Sequence, residues 1–240
     1  MRTSTCFVVM ALTVAACGGG CSTVSRAPRP ELVAAIDWSG LEPIDIKGID
    51  IAFASPAANF ADYSKVMLDP VEVVFAEDWE PLQVGSPFPV SERDLERLRQ
   101  DVAALTEDRF KRFMERGGPY EVVDEPGPGV LRIQARLVDV RLNAPDFPTV
   151  NRSYQYARSA GEMTLVAELI DGETGALVGR VVDRWIDPEQ NELRWMTRLE
   201  NAMALQKGVE SWAAALKRQL EVASIRKRME GAGEGIRRDQ

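Results

Sequence analysis

Residues 162–186, EMTLVAELIDGETGALVGRVVDRWI, hold two apolar runs on either side of the stretch Asp171 to Gly175. Runs of this length, rich in Val, Leu and Ile and divided by an Asp, Gly and Thr cluster, read as antiparallel strands joined by a tight turn. The hairpin decides the fold because the segment before it is also strand-like. Residues 120–142, YEVVDEPGPGVLRIQARLVDVRL, read as two strands joined by a turn at Pro126 to Gly129. In the second of these, Leu131, Ile133, Ala135 and Leu137 share one face, but the next apolar residues are Val138, Val140 and Leu142. A phase slip of one residue at Leu137-Val138 predicts a β-bulge.

Working outward, Ile49 to Ala54 alternates like a short strand, and KVMLDPVEVVF, residues 65–75, reads as a strand with an irregular middle at Pro70. Proline has no N–H to give to a ladder, so it marks a bulge or an edge. Ser91-Glu92-Arg93-Asp94 is a capping-box variant that opens a helix. Leu95, Leu98, Val102, Leu105 and Phe113 follow at helical spacing as far as Gly117-Gly118, with Arg93, Arg97, Glu107 and Lys111 on the opposite side. A last helix begins after Pro188, its stripe running through Leu199, Met203, Gln206, Val209, Trp212 or Ala213, Leu216, Leu220 and Ala223. Grouped strands without repeated strand–helix alternation predict an α+β fold: a two-layer sandwich, a mostly antiparallel sheet with two main helices packed on it.

The chain has 240 residues, 29 basic and 37 acidic, for a net charge of −8 spread along its length. No basic face is available to neutralise phosphates, so nucleic acid is not an expected partner. There is no histidine. That removes Ser-His-Asp and Cys-His nucleophile activation and the commonest zinc ligand. The three cysteines, Cys6, Cys17 and Cys21, all lie in the first tenth of the chain. The remainder therefore carries neither a disulfide nor a thiolate metal site, and no cofactor or metal is expected.

Arg2 and the apolar run from Cys6 to Ala16 have the make-up of a secretory signal, and the run is too short to span a membrane. Val14-Ala15-Ala16-Cys17 resembles the bacterial lipobox: an aliphatic residue, two small ones and the cysteine that is lipidated and becomes the mature N-terminus. An ordinary signal peptide with a chance cysteine is the alternative, and a lipobox ending at Cys21 would need Gly18 in the aliphatic position. The resemblance implies a diacylglycerol thioether and an N-acyl chain on Cys17, enough acyl surface for durable membrane anchoring. Gly18 in place of an inner-membrane retention aspartate implies the outer membrane, facing the periplasm. The resulting organisation is a signal peptide over 1–16, a lipidated tether over 17–30, a periplasmic domain over 31–223 and a frayed polar tail over 224–240.

DYSKVMLDPVEV (62–73), YEVVDEPGPGVLRI (120–133) and the 162–185 hairpin, taken with the lipobox, resemble the bacterial lipoproteins of the domain-of-unknown-function 3313 family. The similarity runs from about Ile49 to about Glu221. It implies location and fold, and it transfers no catalytic residues. The strand and helix order is also similar to periplasmic lipoproteins such as the curli-secretion and Pel-export lipoproteins and the auxiliary lipoproteins of transport complexes.

Four features stand out as candidate sites. Asp69-Pro70 interrupts an apolar strand, so its carboxylate needs a partner, either local amides at a bulge or a pocket. Asp183-Arg184 reads as a structural pair. Glu162, Glu168 and Asp187 invite comparison with a glycosidase carboxylate pair. The loop Asn143 to Gly161 is too long for a hairpin turn and gathers Phe147, Arg152, Tyr154, Tyr156 and Arg158, the aromatic and Arg mixture of recognition surfaces, or else folds over the sheet edge. Exposure of both Trp195 and Trp212 would mark a partner surface.

Two functions follow as expectations. The first is a non-enzymatic lipid-anchored envelope protein that binds another envelope component, assists assembly or transport, or assembles with copies of itself. The second is a histidine-free envelope hydrolase, which requires two carboxylates lining a concave site about 5–9.5 Å apart.

Overall fold

The computed structural model describes residues 27–79, 90–116, 120–143, 155–157, 160–188, 194–196 and 198–238. Its elements are α1 (Pro30–Ala34), β1 (Glu42–Pro43), β2 (Ile51–Ala54), a 3-10 turn at Phe60–Asp62, β3 (Lys65–Leu68), β4 (Glu72–Phe75), α2 (Glu92–Glu115), β5 (Glu121–Val122), β6 (Val130–Leu142), β7 (Gln155–Ala157), β8 (Gly161–Asp171), β9 (Leu177–Ile186), β10 (Arg194–Met196) and α3 (Arg198–Arg238). The fold is α+β. Eight strands form one sheet in the order β1-β2-β9-β8-β6-β3-β5, with β4 following β3 along the same edge of β6. The pairs β1/β2, β2/β9, β8/β9 and β6/β8 are antiparallel.

The β8–β9 hairpin forms as the sequence predicts. Asp171 builds its turn: Oδ1 accepts from the Thr174 amide at 2.8 Å and the Thr174 hydroxyl at 2.7 Å. This is the local side-chain bonding that makes Asp a turn former. Residues 120–142, in contrast, do not form a hairpin. Lys65 in β3 pairs with both Glu121 and Val130, so β3 lies between β5 and β6, parallel to each. A two-residue strand advances only about 7 Å, and the loop through Pro126 and Pro128 can return that distance without a crossover helix.

The bulge in β6 is present one residue beyond the apolar phase slip. Asp139 has φ 52°, and the β6/β8 register shifts between Val138 and Arg141. Asp tolerates that left-handed conformation better than a β-branched residue does. Leu131, Ile133, Ala135 and Leu137 before it and Val140 after it consequently all face the core.

Both long helices contribute to that core, where Val102, Phe110 and Met114 of α2 meet Leu205, Val209, Trp212, Ala213 and Leu220 of α3 and the inner face of the sheet. Ser91 caps α2, its Oγ accepting from the Asp94 amide at 3.3 Å. The deepest line of α2 is Val102, Thr106, Phe110 and Met114, displaced from the predicted stripe, of which only Val102 is fully buried. Glu107, expected on the outer side, turns inward instead: its Oε1 accepts from the Val71 amide at 2.8 Å, just past the Asp69-Pro70 interruption. The break between β3 and β4 along β6 leaves that N–H without a strand partner, and the α2 carboxylate supplies one.

α3 sits close to the sheet at Gly208, where an added Cβ would meet the Met163 side chain and lie 3.0 Å from the Trp185 ring. The start of its stripe differs from the sequence reading. Leu199 and Met203 are exposed, and Ala204 and Leu205 are buried in their place. The helix also continues to Arg238, where a fraying tail was expected from residue 224.

Candidate functional site

The outer face of the sheet is a lattice of ion pairs. Arg132 holds Asp69 with both ends of its fork, Nε to Oδ1 at 2.8 Å and Nη2 to Oδ2 at 2.7 Å. Arg136 meets Glu72 at 2.7 Å, Arg180 meets Glu168 at 2.9 Å, and Glu162 is shared between Arg184 at 2.6 Å and Arg141 at 3.2 Å. Arg141 also pairs with Asp78. The N-terminal segment crosses this face: Trp38 packs on Phe53 with ring centroids 4.5 Å apart, and Arg29 reaches Asp139 at 3.4 Å. An open hollow of about 550 Å³ remains beside it, bordered by Ile36, Asp37, Asp69, Glu72, Arg136 and Glu168.

These contacts answer most of the sequence candidates. Asp69 does border a hollow, but its carboxylate is held by the guanidinium of Arg132 on the neighbouring strand rather than by bulge amides. Asp183 and Arg184 part company, as consecutive strand residues must. Asp183 faces the helices, accepting from Trp212 Nε1 at 2.6 Å and from the Asp50 amide at 2.9 Å. Arg184 faces outward to Glu162. Of the three acids compared with a glycosidase pair, Glu162 and Glu168 are bound by arginines, and Asp187 accepts from the Ala160 amide at 2.9 Å. Among the described residues no cluster of His, Cys, Asp or Glu could hold a metal ion.

Cys17 lies outside the described residues, as do Phe147, Arg152, Tyr154 and Arg158 of the candidate loop. Tyr156 falls in β7, which pairs with β10 in the register Tyr156 to Trp195, so part of the loop forms one strand of a two-stranded ribbon. Trp212 is buried against Asp183, and the condition that both tryptophans be exposed fails there.

Between the sheet and the helices lies an apolar cavity of about 80 Å³, with Ile46, Phe110, Ile133, Leu169 and Trp212 among its walls. It is smaller than the few hundred Å³ of ordinary ligand pockets. At the β8–β9 turn Tyr63 donates to Asp171 Oδ2 at 3.0 Å. Burial first, and then this bond to a carboxylate, push the Tyr63 phenol well above its usual value. The Asp171 carboxyl is held below the ordinary range, chiefly by the Thr174 hydroxyl and amide.

The family model described as "Protein of unknown function (DUF3313)" matches residues 34–216. The chain belongs to the DUF3313 family. The match ends inside α3, before residues 222–238 of that helix. Among curated proteins, none matches the chain. Among solved structures the DUF3313 chain is similar to the PelC dodecamer from Paraburkholderia phytofirmans, at 13% identity and TM-score 0.36 over 69% of this chain and 94% of that one. Protein XCC0632 of Xanthomonas campestris, of family DUF330, gives 10% identity and TM-score 0.36 over 73% and 94%. A putative neuraminyllactose-binding hemagglutinin homolog from Helicobacter pylori gives 12% identity and TM-score 0.24 over 71% and 89%. These likenesses are too loose to carry an assembly or a ligand across to this chain.

A further feature lies at the end of α3. Val222, Ile225 and Met229 are exposed, at 52%, 49% and 71%. At roughly 100° per residue they fall within about 60° of one another and about opposite the fully buried Leu220. On the inner side of the same turns, Lys227 reaches Asp62 at 2.6 Å. The apolar stripe therefore points away from the body of the protein. Its 3-4 spacing was visible in the sequence, but spacing alone does not say which side of the helix a sheet will cover.

Proposed function

We propose that this DUF3313 protein is a lipid-anchored envelope protein, attached through Cys17 on the periplasmic side of the outer membrane, whose domain binds other envelope components and carries out no chemistry of its own. The observation that carries the reading is the state of its acids. Asp69, Glu72, Glu162 and Glu168 are each engaged by arginine, and Asp183 and Asp187 by N–H donors. A carboxylate whose oxygens are already taken up by a guanidinium is poorly placed to exchange a proton with a substrate. The enclosed space is apolar and small, which suits packing better than substrate. No described helix is long and apolar enough to cross a membrane; the support for attachment is the resemblance of Val14-Ala15-Ala16-Cys17 to a lipobox.

The test is fractionation of cells carrying Cys17→Ser, with metabolic labelling by a fatty acid. Loss of label and of membrane association supports the anchor; retention of both contradicts it. Crosslinking of the wild-type chain in intact cells, followed by capture, should recover specific envelope partners or a second copy. A glycan- or ester-hydrolysing activity abolished by Glu162→Gln or Glu168→Gln would overturn the non-enzymatic reading.

A further inference from the structure

We propose that the distal part of α3, residues 222–238, is a self-association surface on which two copies of this chain pair as a parallel two-stranded coiled coil. The inference deepens the binding reading above by naming a second copy as one partner, and it does not depend on the lipid anchor.

The spacing comes first. Val222, Ile225, Met229, Ala232 and Ile236 recur at intervals of 3, 4, 3 and 4 residues. That is the a/d seam of a heptad, a stripe narrower than the apolar face with which a helix lies on a sheet or in a membrane surface. The three members whose exposure is described, Val222, Ile225 and Met229, all face solvent.

Charge complementarity selects the second copy and its direction. With Val222 at a, Glu221 takes the preceding g position and Arg226 the following e position. In a parallel pair, g of one helix faces the next e of the other, so Glu221 and Arg226 make two symmetric opposite-charge contacts. An antiparallel pair would set e against e, opposing Arg226 with Arg226. A neighbouring cation, Lys227, is already occupied by Asp62 of the same chain and leaves the seam clear.

The helix also needs outside support. Residues 231–235 include Gly231, Gly233 and Gly235, yet the helix extends through them to Arg238. Each glycine costs about 1 kcal/mol relative to alanine in a helix interior. Tertiary contact, more than propensity, keeps such a segment helical.

The experiment uses the full chain carrying Cys21→Ser, with one cysteine introduced at a d position (Ile225→Cys) or at a c position (Ser224→Cys), treated with a short bis-maleimide in cells; the chain with Cys21→Ser alone gives the background from the remaining native cysteines. A covalent dimer is expected from Ile225→Cys at a severalfold higher yield than from Ser224→Cys. Arg226→Glu should lower that yield, and adding Glu221→Arg should restore it. Equal yields at the two sites, no dimer from Ile225→Cys, or no restoration by the charge swap would overturn the proposal. So would a monomer that uses this segment only to bind phosphatidylglycerol vesicles. Recovery of a different envelope protein by a chain that stays monomeric would overturn this inference while leaving the binding reading in place.

Discussion

The two parts of α3 are one helix in two environments. From Ala204 to Leu220 its apolar residues are buried against α2 and the sheet: Leu205, Val209, Trp212, Ala213 and Leu220 all belong to the central core. At Val222, Ile225 and Met229 the same kind of periodicity faces solvent. The difference arises at the end of α2, which stops at Glu115, where Lys217 of α3 reaches over to the Arg116 carbonyl at 2.8 Å. Beyond that point α3 has lost its neighbouring helix. Charge changes with it: residues 222–240 hold five basic and three acidic residues, a net of +2, while residues 1–221 hold 24 and 34, a net of −10. Helical periodicity thus reports that a face is meant to be covered, and only the packing shows whether the cover belongs to the same chain.

Substitutions should separate the two parts sharply. Trp212→Ala removes a buried ring and leaves the Asp183 carboxylate short of a donor, so it should cost about 3–5 kcal/mol of unfolding free energy by urea titration. A cost near zero would place Trp212 outside the core.

A second contrast uses pH. The Asp171 carboxyl is held below its ordinary value by the Thr174 hydroxyl and amide, so its contribution is present above the unfolded carboxylate range near about 3.9. It is lost as pH falls through the lower folded value. Asp171→Ala should therefore lower stability at neutral pH and flatten its decline in acid, read by thermal melts between about pH 2 and 6. The association of the distal segment should be unaffected.

The smallest effect on folding belongs to the distal part. Met229→Ala should change the stability of the monomer by no more than about 0.5 kcal/mol, the usual range for exposed sites, while reducing association measured by sedimentation. A large loss of monomer stability would mean that the stripe packs within its own chain.

Much of this was legible in the sequence, for identifiable reasons. The β8–β9 hairpin, the Ser91 cap, the bulge in β6 and the break at Asp69-Pro70 are all set by neighbours in the chain, so local patterns reveal them. The insertion of β3 between β5 and β6 was not legible, because strand patterns carry no pairing partner. The arginines that hold the candidate acids were hidden for the same reason: Asp69 and Arg132 are 63 residues apart and meet only through strand order. Glu107 looked solvent-facing because the unpaired Val71 amide it serves is created by a distant proline.

Hydrogen exchange along α3, followed while the full chain is diluted, tests the central contrast most directly. The account predicts that amides from Ala204 to Leu220 stay protected at every concentration, while those from Val222 to Arg238 lose protection as the chain dissociates. Protection of the distal amides that does not vary with concentration, or its absence even in concentrated protein, would contradict it.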